Sequence, residues 1–189
     1  MEDSEVYSMA NFCLKLAEKL NSDLKCADIY FEETNYINIE IEENSIKNSE
    51  IGEDNGFSIR VVNNDGALGF AYSNKLDRIT LEKMCRTAIK MMKVATPDPD
   101  FKNLPNSFNT YPVIEGLFDK NLKYLGVEDS IDYVEDLIKI CKDDEMAISQ
   151  SGNFASGYSK IFIFNSNGLN VSREETNCLI SSNIIVEDK

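Results

Sequence analysis

Apolar residues recur along this chain with two different periods, and the two periods separate helices from strands. From about Ser4 to Asn21 they return every three or four positions, which predicts an amphipathic helix capped by Ser4 or Asp3. The same spacing predicts a second helix from about Thr80 to Ala95, with Thr80 as its cap, and a third from about Val127 to Lys142. The pattern therefore predicts three helices that each bury one face.

Between the first two helices the period changes to two, which is typical of half-exposed antiparallel strands. Glu43-Asn44 predicts a turn, and Asp54-Asn55-Gly56 predicts a break in the chain. Asn63-Asn64-Asp65-Gly66 predicts a tight hairpin whose residues tolerate a positive φ. These turns divide the region into a meander of about four strands: Ile29–Ile41, Ile46–Ile51, Phe57–Val61 and Ala67–Tyr72.

The rest of the chain is an extended connection followed by further strands. All four prolines fall between Thr96 and Gly126, which predicts a surface segment without regular structure. Asn165-Ser166-Asn167-Gly168 predicts another hairpin turn. About four strands surround it: Met146–Gln150 leading into the small-residue run Ser151–Gly157, then Ile161–Phe164, Leu169–Arg173 and Cys178–Val186.

This order of elements predicts an α+β fold, in which antiparallel β-meanders pack against about three helices. The 189 residues fit one domain, or one domain with a long embellishment. A duplicated unit of one helix and one meander stays an alternative, although no residue-level repeat supports it. We therefore expect residues 1–189 to form a single domain, with a proline-rich connection at about 96–126.

The net charge of the chain restricts the kinds of molecule that it can bind. The chain has 33 acidic and 19 basic residues, a formal net charge of −14. Such a surface repels phosphate backbones and anionic membranes, so we expect no direct nucleic-acid or membrane partner. The acidic start of the chain does not resemble a secretory signal, and the five cysteines lack a CxxC pair. We therefore expect a cytoplasmic protein with reduced thiols.

The absence of histidine is the strongest constraint on chemistry. It excludes the common His-containing zinc sites, Ser-His-Asp and Cys-His arrangements and any histidine general base. Adjacent acids such as Glu32-Glu33 point to opposite faces of a strand, so solvated surface is a better interpretation than acid–base catalysis. We predict no catalytic and no metal-binding residue in this chain. Arg60 interrupts an apolar strand, which favours an ion pair with an acid over a contact with substrate.

Four segments resemble the TldD/PmbA family in order and spacing. They are Ala27-Asp28-Ile29-Tyr30-Phe31-Glu32, Asp54-Asn55-Gly56-Phe57-Ser58-Ile59-Arg60-Val61, Leu68-Gly69-Phe70-Ala71-Tyr72-Ser73, and Ser151-Gly152-Asn153-Phe154 with Phe164-Asn165-Ser166-Asn167-Gly168. The chain is therefore similar to the family's N-terminal domain, which implies that a C-terminal domain is absent. The motif positions Arg60, Asn165 and Asn167 become candidates for peptide contact or for a structural role.

The resemblance also implies an activity for the whole protein. Family members are zinc metallopeptidases that act on unfolded or modified peptides, and an older label is modulator of DNA gyrase. Their zinc motif, His-Glu-x-x-x-His, lies in the C-terminal half of TldD-type members. We therefore expect no cofactor in this chain, with zinc either in the absent domain or on a TldD-type partner subunit. The partner is expected to complete a homodimer or a heterodimer around a peptide substrate.

Two segments, Thr96-Pro97-Asp98-Pro99-Asp100 and the stretch from Gly152 to Tyr158, resemble PmbA-type (TldE) chains, which lack the zinc ligands. This favours a scaffold and substrate-holding domain of the non-zinc subunit. A non-enzymatic adaptor or inhibitor that works through protein contacts is the alternative. A hydrolase based on paired carboxylates is a third and weaker one.

Overall fold

The fold is described from a computed structural model, which covers residues 1–108 and 110–187. In chain order the elements are α1 Asp3–Leu20, β1 Leu24–Glu42, β2 Ser45–Asn63, β3 Leu68–Ser73, α2 Arg78–Val94, α3 Lys120–Lys123, α4 Val127–Lys142, β4 Ala147–Asn165 and β5 Asn170–Val186. The strands form one antiparallel sheet in the order β3-β2-β1-β4-β5. The predicted α+β class with antiparallel strands and three long helices is confirmed.

The turns between the strands match the sequence in most places. Glu43 and Asn44 both have positive φ, 50° and 60°, as a tight two-residue hairpin between right-handed strands requires. In the Asn63–Gly66 turn only Gly66 has a positive φ, 88°. The turn at Asn165–Gly168 is also present, with Gly168 at a φ of 86°. The predicted third helix, Val127–Lys142, agrees at both ends with α4.

The strands are longer and fewer than predicted. Asp54-Asn55-Gly56 does not break the chain, because β2 continues through it on the way to its pairing with β3. The small-residue run Ser151–Gly157 lies inside β4, and β5 is continuous from Asn170 to Val186. Glycine, asparagine and serine were interpreted as breakers, but they also fit extended strands where neighbouring backbones hold them. The two predicted meanders of about four strands are thus one of three strands and one hairpin.

Two predicted helix caps are wrong. Helix α1 begins after Glu2, and no side chain caps it, so neither Ser4 nor Asp3 has that role. Helix α2 begins after Asp77, whose Oδ1 accepts a hydrogen bond from the Thr80 backbone N–H at 3.0 Å. Thr80 therefore lies inside the first turn, and its hydroxyl donates to Asp77 Oδ2 at 2.7 Å. The cap of α2 therefore lies three residues earlier in the chain than the predicted cap, Thr80.

The contacts divide the chain into two compact units. The first unit comprises residues 1–33, 55–113 and 160–173, and the second comprises 34–54, 114–159 and 174–189. The expectation of a single domain stays a prediction. No helix of the described residues is long and apolar enough to cross a membrane.

The first unit has an aromatic core beneath α1 and α2. Phe31, Phe57 and Phe162 are fully buried there, and the rings of Phe162 and Phe164 stack with 6.1 Å between their centroids. Gly69 lies so close to α2 that a Cβ would collide with the Ala88 carbonyl. The first unit therefore has a core of large rings and close backbone contacts.

The second unit has a smaller core under α4. Ile39 and Ile41 of β1 pack with Phe154 of β4 and with Val134 and Ile138 of the helix. Alternation along β1 places these isoleucines on one face of the strand. The opposite face of this part of β1 carries the polar side chains of Asn38, Glu40 and Glu42.

Candidate functional site in the second unit

Within residues 1–108 and 110–187, strand β5 is the last strand of the sheet order, so one of its sides has no neighbouring strand there. The Thr176 N–H donates on that open side to the Leu117 carbonyl at 2.9 Å, whereas the Glu187 N–H donates to the Met146 carbonyl, just before β4, at 3.0 Å. Backbone groups along a strand point alternately to its two sides. The even-numbered residues from Cys178 to Val186 therefore direct their N–H and C=O groups away from β4. We name residues 178–186 of β5 the free edge.

The free edge is apolar and uncharged. Its nine residues contain no Lys, Arg, Asp, Glu or Pro. Leu179 is 59% exposed and Ile185 is 63% exposed. Natural proteins usually protect such edges with lysine, proline or a bulge, because an open edge pairs readily with another extended chain. The free edge has the features of a strand-binding surface.

One end of the free edge is closed by the proline-rich connection. Besides the bond from Thr176 to the Leu117 carbonyl, the Asp119 N–H donates to Thr176 Oγ1 at 2.9 Å. Asp119 then caps the short helix α3 by accepting from the Asn121 N–H at 2.7 Å. Residues 117–119 thus occupy the open side of β5 at Thr176. An added strand would begin beyond that point.

A hollow of about 480 Å³ lies beside this closed end. Its lining combines many small residues with a few larger apolar and aromatic ones: Thr34, Tyr36, Ile37, Asn38, Gly116, Leu117, Ala155, Ser156, Gly157, Tyr158, Ser159, Glu175, Thr176 and Asn177. A Cβ on Gly157 would lie 2.7 Å from the Asn177 side-chain oxygen, so the missing side chain helps to keep the hollow open. Tyr36 donates from its hydroxyl to Glu50 Oε1 at 2.9 Å, and this bond raises the pKa of the phenol. The hollow can hold a side chain or a chain end of a bound peptide.

Lys123 anchors an aromatic group near the start of α4. Its Nζ lies 4.1 Å from the centroid of the Tyr158 ring and 3.5 Å from Glu174 Oε1. The Tyr158 hydroxyl donates to the same carboxylate oxygen at 2.8 Å. The Phe118 ring meets that of Tyr158 edge-to-face with 6.3 Å between centroids. These contacts fix the segment before α4 against β4 and β5.

The predicted site residue Arg60 forms an ion pair with Asp28. Its Nε donates to both carboxylate oxygens at 3.1 Å, and Nη2 also contacts Oδ2. The side chain of Arg60 is 42% exposed and that of Asp28 is 18% exposed. The hydrogen bonds to Asp28 raise the pKa of the guanidinium. The ion pair favoured by the sequence is present, and the question of peptide contact stays open.

Asn165 and Asn167 hold the hairpin and the proline-rich connection together. Asn165 Oδ1 accepts from the N–H groups of Asn167 and Leu169, and its Nδ2 donates to the Pro105 carbonyl at 2.7 Å. Asn167 Nδ2 donates to the Leu104 carbonyl at 2.8 Å. These hydrogen bonds give Asn165 and Asn167 a structural role. All three predicted site residues therefore lie in the first unit: Asn165 and Asn167 at the Asn165–Gly168 hairpin, and Arg60 on β2.

The sequence did not identify Thr176 or Lys123, and it marked Gly157 only as a member of the small-residue run Ser151–Gly157. No short motif marks these residues, because their importance depends on strand order and on contacts with segments far along the chain. One signal was present in the sequence: the uncharged run from Cys178 to Val186 without a lysine or proline.

The described residues do not fit a zinc site. The chain contains no histidine. Within residues 1–108 and 110–187, no three Cys, Asp or Glu side chains form a group that could hold a metal ion. The expectation that zinc lies elsewhere in the protein or on a partner stays a prediction.

Comparison with known families matches two parts of the chain. Residues 27–92 match the family model described as PmbA/TldA metallopeptidase domain 1. Residues 120–189 match the model described as PmbA/TldA metallopeptidase central domain. An uncharacterized protein of Methanocaldococcus jannaschii is 26% identical over 168 residues, which are 86% of this chain and 36% of that protein.

Solved structures share the fold at low identity. TldE from Thermococcus kodakarensis superimposes with a TM-score of 0.81 at 20% identity, covering 95% of this chain and 40% of that one. A structure from Bacteroides thetaiotaomicron, titled a putative modulator of DNA gyrase, gives a TM-score of 0.84 at 19% identity, covering 99% and 42%. The chain thus spans about two-fifths of the length of these relatives.

Proposed function

The chain belongs to the PmbA/TldD metallopeptidase family, and we propose that it is the scaffold and substrate-holding part of a peptidase subunit. Its own task in this proposal is to bind an extended peptide as an additional strand on the free edge. The zinc chemistry of the family would be supplied outside these 189 residues or by a TldD-type partner. A PmbA-type subunit in a cytoplasmic homodimer or heterodimer is part of the same proposal.

The observation that carries the proposal is the orientation of the backbone along the free edge. Five even-numbered residues, from Cys178 to Val186, offer donors and acceptors spaced for an added strand. Main-chain pairing recognises an extended conformation and depends little on side-chain identity. Such binding suits a peptidase that acts on unfolded chains of varied sequence. The hollow beside Thr176 and Asn177 supports the proposal as a place for one end of the peptide.

A proline scan of two adjacent positions tests the holding role. Ile180→Pro removes an N–H that points to the open side, whereas Ile180→Thr keeps it. We expect the proline to weaken binding of a fluorescein-labelled nine-residue Val/Thr/Ser peptide at least tenfold in fluorescence anisotropy. The threonine variant should bind within about twofold of the unchanged chain, since it keeps the N–H. Loss of one main-chain hydrogen bond costs about 1 kcal/mol, or about fivefold in affinity, and the proline ring further obstructs the added strand.

Leu179→Pro is the positional control, because residue 179 directs its N–H toward β4. We expect this variant to lower the thermal midpoint, whereas Ile180→Pro should keep it nearly unchanged. Equal binding by the unchanged chain and by folded Ile180→Pro would contradict strand addition at this edge.

A separate experiment tests whether this chain only binds the peptide and does not cleave it. The purified 189-residue chain, incubated with the same peptide, should give no cleavage products by mass spectrometry. Cleavage that zinc supports and a chelator abolishes would contradict a purely holding role.

A further inference from the structure

The second unit carries all of the chain's net charge. Residues 34–54, 114–159 and 174–189 contain 20 acidic and 6 basic residues, a net charge of −14. The first unit contains 13 acidic and 13 basic residues and is neutral. The free edge belongs to the second unit, so the electrostatic field around it is negative.

Acidic residues flank both ends of the free edge, and the free edge itself is neutral. Glu175 precedes it on β5 and Asp119 is held beside Thr176, whereas the charge of Glu174 is paired with Lys123. Glu187 follows it, and its bond to the Met146 carbonyl brings the end of β5 next to Glu145. The free edge is about 30 Å long at the usual rise of a strand. A strand bound to the free edge would therefore contact an uncharged surface at its centre and lie near acidic side chains at each end.

We infer that the free edge selects extended peptides with an uncharged, largely apolar centre of about nine residues and lysine or arginine on both sides. This inference rests on the proposed function and adds its substrate class. Opposite charges at the two ends raise the association rate and fix the register of the added strand. Main-chain hydrogen bonds and the exposed apolar side chains Leu179, Ile180 and Ile185 hold the centre.

The same charges disfavour a second copy of this chain as the occupant. An antiparallel pair centred on Ser182 would place Glu187 of one copy opposite Asn177 of the other, two residues from Glu175. The acidic ends of the two copies would then face each other, and this repulsion would destabilise the dimer. A cationic peptide meets no such repulsion.

Three labelled peptides with one uncharged nine-residue centre test the inference against the 189-residue chain. Their flanks are two lysines, two serines or two glutamates on each side. In 50 mM salt we expect the lysine peptide to bind at least tenfold more tightly than the glutamate peptide, with the serine peptide between them. In 500 mM salt the ratio should fall to about twofold, because salt screens exposed charges.

Matched variants place the effect at the free edge. The double variant Glu145→Gln and Glu187→Gln should reduce the lysine preference by about threefold, as two of the flanking charges are removed. Glu18→Gln, an exposed acid on α1 in the neutral first unit, should leave the preference unchanged. Ile180→Pro should weaken all three peptides equally.

Each other outcome has a separate meaning. Equal, salt-independent binding of all three peptides would overturn the charge selection and leave strand holding intact. If no peptide binds, the proposed function fails and the inference with it. A dimer of the unchanged chain in sedimentation that Ile180→Pro dissociates would assign the free edge to a second copy and overturn the inference.

Discussion

The two units differ in how they are stabilised and in what they leave exposed. In the first, aromatic rings from three strands pack beneath two helices, and acidic and basic residues balance. In the second, a single long helix covers a core of three isoleucines, a valine and a phenylalanine, and the unit combines 20 acidic residues with an uncharged strand edge. The first unit devotes its residues to packing. The second leaves backbone groups of a strand edge, acidic side chains and a hollow exposed, and these are features of a binding surface.

The largest effect expected from this difference is at Gly69, in the first unit. A Cβ there collides with the backbone of α2 at Ala88 and Met92, and backbone cannot move aside as a flexible side chain can. We expect Gly69→Ala to cost about 3 kcal/mol of unfolding free energy, at the upper end of the range for overpacked cores. Urea denaturation followed by circular dichroism measures the change.

Two other glycines provide the controls. A Cβ on Gly56 meets no atom within 4 Å, so Gly56→Ala should stay within about 0.5 kcal/mol of the unchanged chain. At Gly157, in the second unit, the obstacle is the mobile end of the Asn177 side chain, and we expect a cost of about 1 kcal/mol. If Gly157→Ala proved as costly as Gly69→Ala, the distinction between a backbone obstacle and a side-chain obstacle at these two positions would be wrong.

A smaller effect, of opposite sign, is expected from the charge of the second unit. Asp132 on α4 has four acids at helical spacing, namely Glu128, Asp129, Glu135 and Asp136. Each like-charge pair at this spacing is unfavourable, and each opposite pair is favourable by a few tenths of a kcal/mol. We expect Asp132→Lys to stabilise the chain by about 1 kcal/mol at low salt, with Asp132→Asn giving about half of that gain. Denaturation in 20 mM and 500 mM salt measures it.

In the first unit the corresponding change should have the other sign. Arg86 on α2 pairs with Glu82 one turn earlier, with 2.7 Å between Nη2 and Oε1. Arg86→Ala should therefore lose about 0.4 kcal/mol. Destabilisation by Asp132→Lys in low salt would show that the acidic face of α4 is already matched by other groups.

The local elements of both units could be predicted from sequence, since they depend on neighbours along the chain. The limits of α4 and the hairpin at Asn165–Gly168 agree with apolar spacing and turn residues. The length of β2 and β4 could not be predicted, because Gly56 and Gly152 are extended only through pairing with other strands.

The position of the candidate site was harder to predict from the sequence than the lengths of the strands. Its open side depends on β5 being last in the sheet, and its start depends on Leu117, which lies 59 residues before Thr176. Neither the strand order nor the contact between Leu117 and Thr176 produces a pattern among neighbouring residues of the sequence. Arg60 was recognisable because a charged residue in an apolar strand needs a partner, and Asp28 lies on the adjacent strand.

The smallest expected effect is a difference in how the N-terminal ends of α2 and α4 respond to acid. Asp77 caps α2, and its hydrogen bonds from the Thr80 hydroxyl and the Thr80 N–H lower the pKa of the carboxyl to about 2. Because the pKa is lower in the folded chain, the stabilisation is complete above the ordinary value of about 4 and is lost as the pH falls toward 2. Helix α4 begins after Gly126 without a side-chain cap, so it has no such dependence on a single capping carboxyl.

Asp77→Asn keeps an oxygen acceptor for the Thr80 N–H but does not titrate. We expect Asp77→Asn to have a lower thermal midpoint than the unchanged chain at pH 7, because it also loses the acceptor of the Thr80 hydroxyl. This difference should shrink between pH 4 and pH 2.5, where the carboxylate of the unchanged chain is progressively protonated. Asp77→Ala should be less stable than both at pH 7, since it loses the acceptor altogether. Parallel acid profiles of the unchanged chain and Asp77→Asn would mean that the carboxylate at this cap contributes nothing to acid sensitivity. The acid response would then originate elsewhere, and the helix starts of the two units would not differ in this respect.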